Sequence, residues 1–238
     1  MSAAGRLYVI PSTLGLVPPT AVLPERTLAI ARGLGHFVAE TPKAARQFIR
    51  ALGPTRPLQG IAIAELSEHT LPERVAALLA PALAGEDLGL VSDAGCPTIA
   101  DPGALLVAAA HRAGVDVVPL AGPSAILLAL MASGLNGQAF AFHGYLPVRA
   151  DARTAAIKAL DDAITRTGAT QIFIETPYRN EAMVEALLAA CRGSTRLCVA
   201  VDLTLASEQV LSRTISAWRK APRLPLAKRP AVFLLGRD

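Results

Sequence analysis

Up to about residue 120 the chain alternates between short apolar runs and amphipathic stretches. Arg6–Pro11, His36–Glu40, Gln59–Glu65, Asp87–Ser92 and Val115–Leu120 are brief and rich in Val, Ile, Leu and Ala, the pattern of buried strands. Between them apolar residues recur at helical spacing. One such stretch opens at Pro24 and Glu25 and stops at Gly33 and Gly35. In the next, Thr41 is expected to cap a helix that begins at Pro42 and aligns Ala44, Ala45, Phe48, Ile49 and Leu52. A single helix is predicted over Leu71–Leu83. Another is predicted from the Asp101–Pro102 cap to about Ala113. Strands alternating with helices imply βαβ units and a parallel sheet.

Beyond Gly122 the order loosens. A helix follows, then a short strand near Phe140–Phe142, a long helix from about Asp151, strands at Gln171–Glu175 and Arg196–Asp202, and a last strand at Ala231–Leu235. This predicts a second α/β domain with a mixed sheet. On patterning alone the chain divides at the Pro147–Asp151 break. No internal repeat or low-complexity segment interrupts the pattern.

Composition refines this picture. With 52% hydrophobic but only 4% aromatic residues among 238, the core must be built from Ala, Leu, Val and Ile, as buried parallel sheets usually are. Residues 117–148 hold no formal charge. They are nevertheless broken by Pro119, Gly122, Pro123, Gly134, Asn136 and Gly137, and the longest helix-like piece, Pro123–Ser133, falls well short of the roughly 20 residues a span needs. No membrane partner is expected. Residues 1–10 lack a secretory h-region, and Cys96, Cys191 and Cys198 form neither a disulfide framework nor a zinc-ligand spacing, so a cytoplasmic protein is expected. His36, His69, His111 and His143 also lack metal-ligand spacing, so no metal is expected. Gly33-Leu34-Gly35 follows a helix rather than a strand, and reads as a helix stop rather than half of a dinucleotide fingerprint.

Charge is uneven. Residues 1–191 carry 14 basic and 16 acidic residues, whereas residues 192–238 carry nine basic and three acidic ones. An edge of one sign attracts polyanions such as RNA, although a solvated basic tail explains the excess equally well.

Three stretches carry candidate chemistry. Val91–Gly103, VSDAGCPTIADPG, runs from a strand end into a helix. Ligands of open α/β sheets bind beyond the carboxyl ends of strands, which singles out Ser92, Asp93, Ala94, Gly95 and Cys96. Asp93 could accept hydrogen bonds from a ribose hydroxyl or an amine, or could merely stabilise its turn. Asp101 reads as a helix cap. Pro119–Leu130, PLAGPSAILLAL, places Ser124 and Ala125 where backbone N–H groups are free, the position of a ligand contact or an ordinary cap. Ile174–Arg179, IETPYR, ends a strand at Glu175 and continues through Thr176 and Pro177. That reads as a pocket lining or as a capped salt bridge.

Taken together, IPSTLG, VSDAGCPTIADPG, PLAGPSA, FHGYLP and IETPYR closely resemble the S-adenosylmethionine (SAM)-dependent small-subunit rRNA 2′-O-ribose methyltransferases of the tetrapyrrole-methylase superfamily, from Leu7 to about Asp202. The resemblance implies two α/β domains divided near Leu120, with SAM in the cleft between them and commonly a homodimer. It implies SAM contacts at Asp93 and Cys96, at Ser124 and Ala125, and around Thr176, with Pro11 lining the cleft. The sequence departs from the family at Glu40-Thr41-Pro42-Lys43, where an acidic-Asp-Thr-Arg run is usual. It departs again at Leu203-Thr204-Leu205, where a lysine is lost, and at Leu16, where an asparagine is usual. These positions face the acceptor in the family. SAM binding is therefore the firmer implication, and the acceptor the looser one.

The reaction implied is in-line methyl transfer to a ribose hydroxyl of small-subunit rRNA or the 30S particle. Glu40 or Glu175 would be the proton acceptor, both at strand ends. The alternatives are methylation of a tetrapyrrole-like or other metabolite, and a catalytically silent SAM-binding module on the ribosome.

Overall fold

A computed structural model of the chain describes residues 4–237. It divides into two compact units, Met1–Ser124 and Ala125–Asp238, so the division falls just past the fifth strand's exit loop and not at Pro147–Asp151.

The first unit contains β1 (Leu7–Ile10), α1 (Glu25–Gly33), β2 (His36–Ala39), α2 (Pro42–Leu52), β3 (Ala62–Glu65), α3 (Pro72–Ala77), α4 (Ala80–Leu83), β4 (Leu88–Val91), α5 (Gly103–Arg112) and β5 (Val117–Pro119). The strands form one parallel sheet in the order β3-β2-β4-β1-β5. Side chains alternate between two buried faces, as a parallel sheet covered on both sides requires. Tyr8, Ile10, Phe37 and Ala39 pack against α1 and α2 with Leu28, Ile49 and Leu52. Leu7, Val38, Leu88 and Leu90 pack on the opposite face with Val75, Leu79 and Leu106. Gly89 sits at the centre of this sheet. A Cβ there would lie 2.8 Å from the Phe37 ring and 2.9 Å from Ile10, so the missing side chain is what lets the ring in.

Two expectations are corrected here. The helix expected over Leu71–Leu83 is split into α3 and α4, because Pro81 supplies no N–H to continue the first helix. The strand expected from Gln59 starts only at Ala62, after a 3-10 turn at Leu58–Gly60.

The second unit contains α6 (Ala125–Ser133), β6 (Phe140–Tyr145), α7 (Ala150–Thr167), β7 (Thr170–Ile174), α8 (Asn180–Ala190), β8 (Arg196–Val201), β9 (Gln209–Thr214), α9 (Ile215–Trp218) and β10 (Ala231–Gly236). Its mixed sheet has the order β6-β7-β10-β8-β9, with β6 and β7 parallel and the remaining pairs antiparallel. One face carries Phe173, Leu197, Val199, Phe233 and Leu235 against α7, α8 and Trp218. The Phe173 and Phe233 rings stack with centroids 5.6 Å apart. α6 packs against β8, β9 and β10. β9 and α9 lie in a stretch for which patterning predicted no element.

Candidate active site

In the first unit, four parallel strands end on one edge and their exit loops meet there. β1 leads into Pro11 and Ser12, β2 into Glu40 and Thr41, β4 into Ser92–Cys96, and β5 into Leu120–Pro123. Backbone and side-chain bonds knit the loops together. Ser12 N–H donates to Gly95 O at 2.9 Å. Ser92 Oγ donates to Gly95 O at 3.1 Å, and Cys96 Sγ donates to Pro123 O at 3.5 Å. Gly95 takes φ +72°, a conformation that calls for glycine, and a Cβ there would stand 2.9 Å from the end of the Leu14 side chain. Pro11 and Gly95 are buried, Ser92 and Cys96 half-buried, Asp93 and Ala94 exposed.

Thr41 occupies the N-cap position of α2 without capping it. Its hydroxyl donates instead to Asp93 Oδ2 at 2.7 Å, across 52 residues of sequence. The expected cap is thus replaced by a bond that orients a candidate ligand-binding carboxylate. Asp101 does cap, from one residue further out than expected. Its Oδ1 accepts from Gly103 N–H at 2.7 Å, and both oxygens accept from Thr98 N–H at 2.9 Å. These bonds secure a loop in which Thr98 and Ala100 have positive φ.

This edge is acidic. Glu40 is exposed, but partial desolvation pushes its carboxyl above its ordinary range, and the like charges of Asp93, Asp101 and Glu68 push it further. Burial also raises the Asp101 carboxyl, against the two N–H donors that hold it. The Cys96 thiol is raised by burial, while a hydrogen bond with Ser124 pulls the other way. Ser12 Oγ is buried and without a partner. It was not singled out from sequence, although it sits beside Pro11 in IPSTLG.

In the second unit, Glu175 follows β7 and is 5% exposed. Its Oε1 accepts from Thr176 N–H at 2.6 Å and from Arg179 Nε and Nη2 at 3.0 and 2.5 Å. Its Oε2 is buried and unpartnered, as is Asn180 Oδ1, whose amide Nδ2 donates to Arg229 O at 2.7 Å. Thr176 is exposed and Pro177 half-buried. Glu175 is therefore the anchor of an ion pair, and Glu40 is the carboxylate with a raised affinity for protons. The site residues expected from sequence belong to both units. Pro11, Glu40, Ser92–Cys96 and Ser124 lie in the first, and Ala125, Glu175, Thr176 and Pro177 in the second.

Several of the cations in residues 192–238 have partners within the second unit. Arg192 pairs with Asp161 and Asp162. Arg213 lies over the Trp218 ring, with 5.4 Å from its guanidinium carbon to the centroid. Arg219 donates to Leu188 O and Cys191 O, and Arg223 pairs with Glu185. Arg229 holds Asp202 at 2.8 Å, where Ser207 Oγ also donates at 2.8 Å. Sequence counts charges without their partners: Arg192, Arg223 and Arg229 are paired with acids, whereas Lys220 and Lys228 have no ion pair among the described residues. Among the described residues no cluster of His, Cys, Asp and Glu could hold a metal, and no helix is long and apolar enough to cross a membrane.

Residues 23–218 match the family of Tetrapyrrole (Corrin/Porphyrin) Methylases. A protein of Xylella fastidiosa named ribosomal RNA small subunit methyltransferase I is 38% identical over 218 residues, covering 91% of this chain and 75% of that protein. One of the same name from Escherichia coli is 32% identical over 222 residues, covering 92% and 73%. Among solved structures, the methyltransferase CobJ superposes with a TM-score of 0.66 at 17% identity, covering 99% of this chain and 95% of that one. A cobalt precorrin-4 methyltransferase from cobalamin biosynthesis superposes with a TM-score of 0.62 at 17% identity, covering 97% and 94%. At that identity the superpositions speak for the fold alone. The family match and the two ribosomal RNA methyltransferase relatives speak for descent, and on them this chain belongs to the tetrapyrrole methylase family.

Proposed function

We propose that the chain transfers a methyl group from SAM to a ribose 2′-hydroxyl of small-subunit rRNA. The observation that carries this reading is the acidic strand-end edge formed by Glu40, Asp93 and the unpartnered Ser12 hydroxyl, in a chain 38% identical to a small-subunit rRNA methyltransferase.

The residues present fit the cofactor. SAM is a cation at sulfur and at its amino group, and it carries ribose hydroxyls. The edge offers it carboxylates and a free hydroxyl acceptor. Asp93, held by Thr41, is placed to accept from hydroxyl or ammonium donors. Gly95 keeps the loop free of a side chain at its closest approach to Leu14. Ser92, Ala94, Cys96, Pro11 and Ser124 complete the loops of this edge, and we also assign Ala125, Thr176 and Pro177 to the cofactor. When bound, SAM supplies a methyl group on a sulfonium, which departs with its electron pair on sulfur.

Glu40 takes the proton of the ribose hydroxyl as the new O–C bond forms. A ribose hydroxyl is a weak nucleophile, and a carboxylate whose proton affinity is raised by partial desolvation and like charge is a better acceptor for it. Glu175 holds Arg179 and stays out of this step. The same reading expects a homodimer working in the cytoplasm, which sedimentation and cell fractionation check.

The test uses small-subunit rRNA and 30S particles from cells lacking the gene. Incubation with the full chain and methyl-labelled SAM, followed by nuclease digestion and mass spectrometry, should yield one 2′-O-methylated nucleotide. Label found on a base, or transferred only to a tetrapyrrole or another small metabolite, would refute the reading.

A further inference from the structure

The exposed face of α2 carries Lys43, Arg46, Gln47 and Arg50. At about 100° per residue the three cations lie within about 60° of one another around the axis, opposite the buried Ala45, Ile49 and Leu52. They extend over roughly 10 Å of helix. With Pro42 and Gln47 they line an open groove of about 360 Å³. The helix contains no acidic residue, and none of the three cations belongs to an ion pair among the described residues.

Ordinary helix electrostatics does not account for this stripe. Arg50 in the last turn suits the helix dipole, but Lys43 lies in the first turn, where the dipole disfavours a cation and where an acid would be usual. A surface kept for solubility would interleave both signs. Residues 192–238 differ, since most of their arginines have a protein partner, among them the buried carboxylates of Asp161 and Asp202. α2 also begins directly after Glu40 and Thr41, so the stripe starts where the acidic edge ends. An acidic edge suits a cationic cofactor, and an adjoining basic face suits a polyanionic substrate.

We propose that Lys43, Arg46 and Arg50 form a docking surface for the RNA phosphate backbone that leads the substrate strand to the edge bearing Glu40. This rests on the RNA methyltransferase reading above. Contacts of this kind position the strand and carry no base information, so the stripe supplies affinity and orientation while selection of the nucleotide lies elsewhere.

The test compares the full-length chain with Arg46→Gln/Arg50→Gln and with Lys220→Gln/Arg223→Gln in a filter-binding salt series. The probes are deproteinised small-subunit rRNA and an unrelated RNA of equal length. Each lost phosphate contact should flatten the plot of log affinity against log salt by about 0.7–0.9. The α2 variant is therefore expected to be shallower by roughly 1.4–1.8 on both RNAs. It should bind S-adenosylhomocysteine as the wild type does, and raise KM for RNA more than it lowers kcat. The variant at Lys220 and Arg223 should flatten the slope by no more than about 0.7–0.9, since Arg223 is already paired with Glu185. An unchanged slope for Arg46→Gln/Arg50→Gln, in a protein that still methylates small-subunit rRNA, overturns the docking surface alone. Affinity lost for 30S particles but not for naked rRNA would assign the stripe to a ribosomal protein and overturn it as well. Absence of methyl transfer by the wild type would instead overturn the proposed function, while a flattened slope would still sustain the docking surface.

Discussion

Replacing Asp93 tests the candidate site most directly. Its carboxylate is exposed, at the end of β4, and oriented by the Thr41 hydroxyl at 2.7 Å. Removing it should leave the fold intact, because no buried donor depends on it. It should remove at least one charged hydrogen bond to the cofactor, about 1.5–3 kcal/mol, or roughly a tenfold to hundredfold rise in Kd. Thr41→Val removes only the orienting donor, and water can replace that donor at an exposed carboxylate. Its cost should be no more than about 1 kcal/mol, up to roughly fivefold in Kd. Calorimetric titration with both SAM and S-adenosylhomocysteine separates the mechanisms. Acceptance from a hydroxyl or the amino group weakens the two ligands equally in Asp93→Ala, and that is the expected result. A larger loss for SAM would place the carboxylate near the sulfonium charge. An Asp93→Ala protein that folds and binds both ligands as the wild type does would refute the assignment of this edge to the cofactor.

Glu40→Gln should lower kcat about 10²- to 10⁴-fold, the usual span for a general base. It should also abolish the acid limb of the pH–rate profile, which the raised Glu40 carboxyl is expected to place above the ordinary carboxylate range; a limb that survives would clear Glu40. Because the folded state raises this pKa, Glu40 contributes stability at acidic pH that is lost as pH rises through the folded value, so Glu40→Gln should raise Tm near neutrality, read by calorimetry. Gly95→Ala forces a Cβ onto a left-handed backbone 2.9 Å from Leu14 and should cost about 1–2 kcal/mol in denaturant unfolding; a neutral change would show that the loop can rearrange. Cofactor analogue should slow amide exchange in both Val91–Gly103 and Ile174–Arg179, and protection confined to the first segment would remove Thr176 and Pro177 from the site.

How legible the molecule was depended on how local each determinant is. The buried strands β1, β2, β4, β8 and β10 stand out because short continuous apolar runs bounded by turn residues read as strands covered on both faces. β9 escaped notice because QVLSRT is a half-covered edge strand, mixing Ser and Arg with Val and Leu, and it pairs only with β8. The α3–α4 break is not fixed by local pattern, because a proline within a helical pattern admits either a kink or a stop. At the site, strand ends and glycine-rich turns pointed to Asp93 and Gly95. The Thr41–Asp93 bond joins residues from two different βα loops, and nothing in local spacing encodes it. Likewise, the arginines after residue 191 look free until their partners, Asp161, Glu185 and the Leu188 carbonyl among them, are seen.

Strand order also bears on how the protein is made. In the first sheet β1 and β2 are synthesised early but do not pair with each other, because β4 lies between them. In the second sheet the last strand to be synthesised, β10, is the central one, with β7 on one side and β8 on the other. At about 5–20 residues per second, β7 waits roughly 3–12 s for the strand that will cover its open edge. During that interval Phe173 has no Phe233 to stack on, and the growing chain leaves apolar strand edges uncovered. The first unit, by contrast, has all five of its strands once residue 119 has emerged. Its β1 nevertheless waits longer still, from Ile10 until β4 begins at Leu88, so each half of the molecule passes through its own period of open strand edges and a holdase would find a substrate in both.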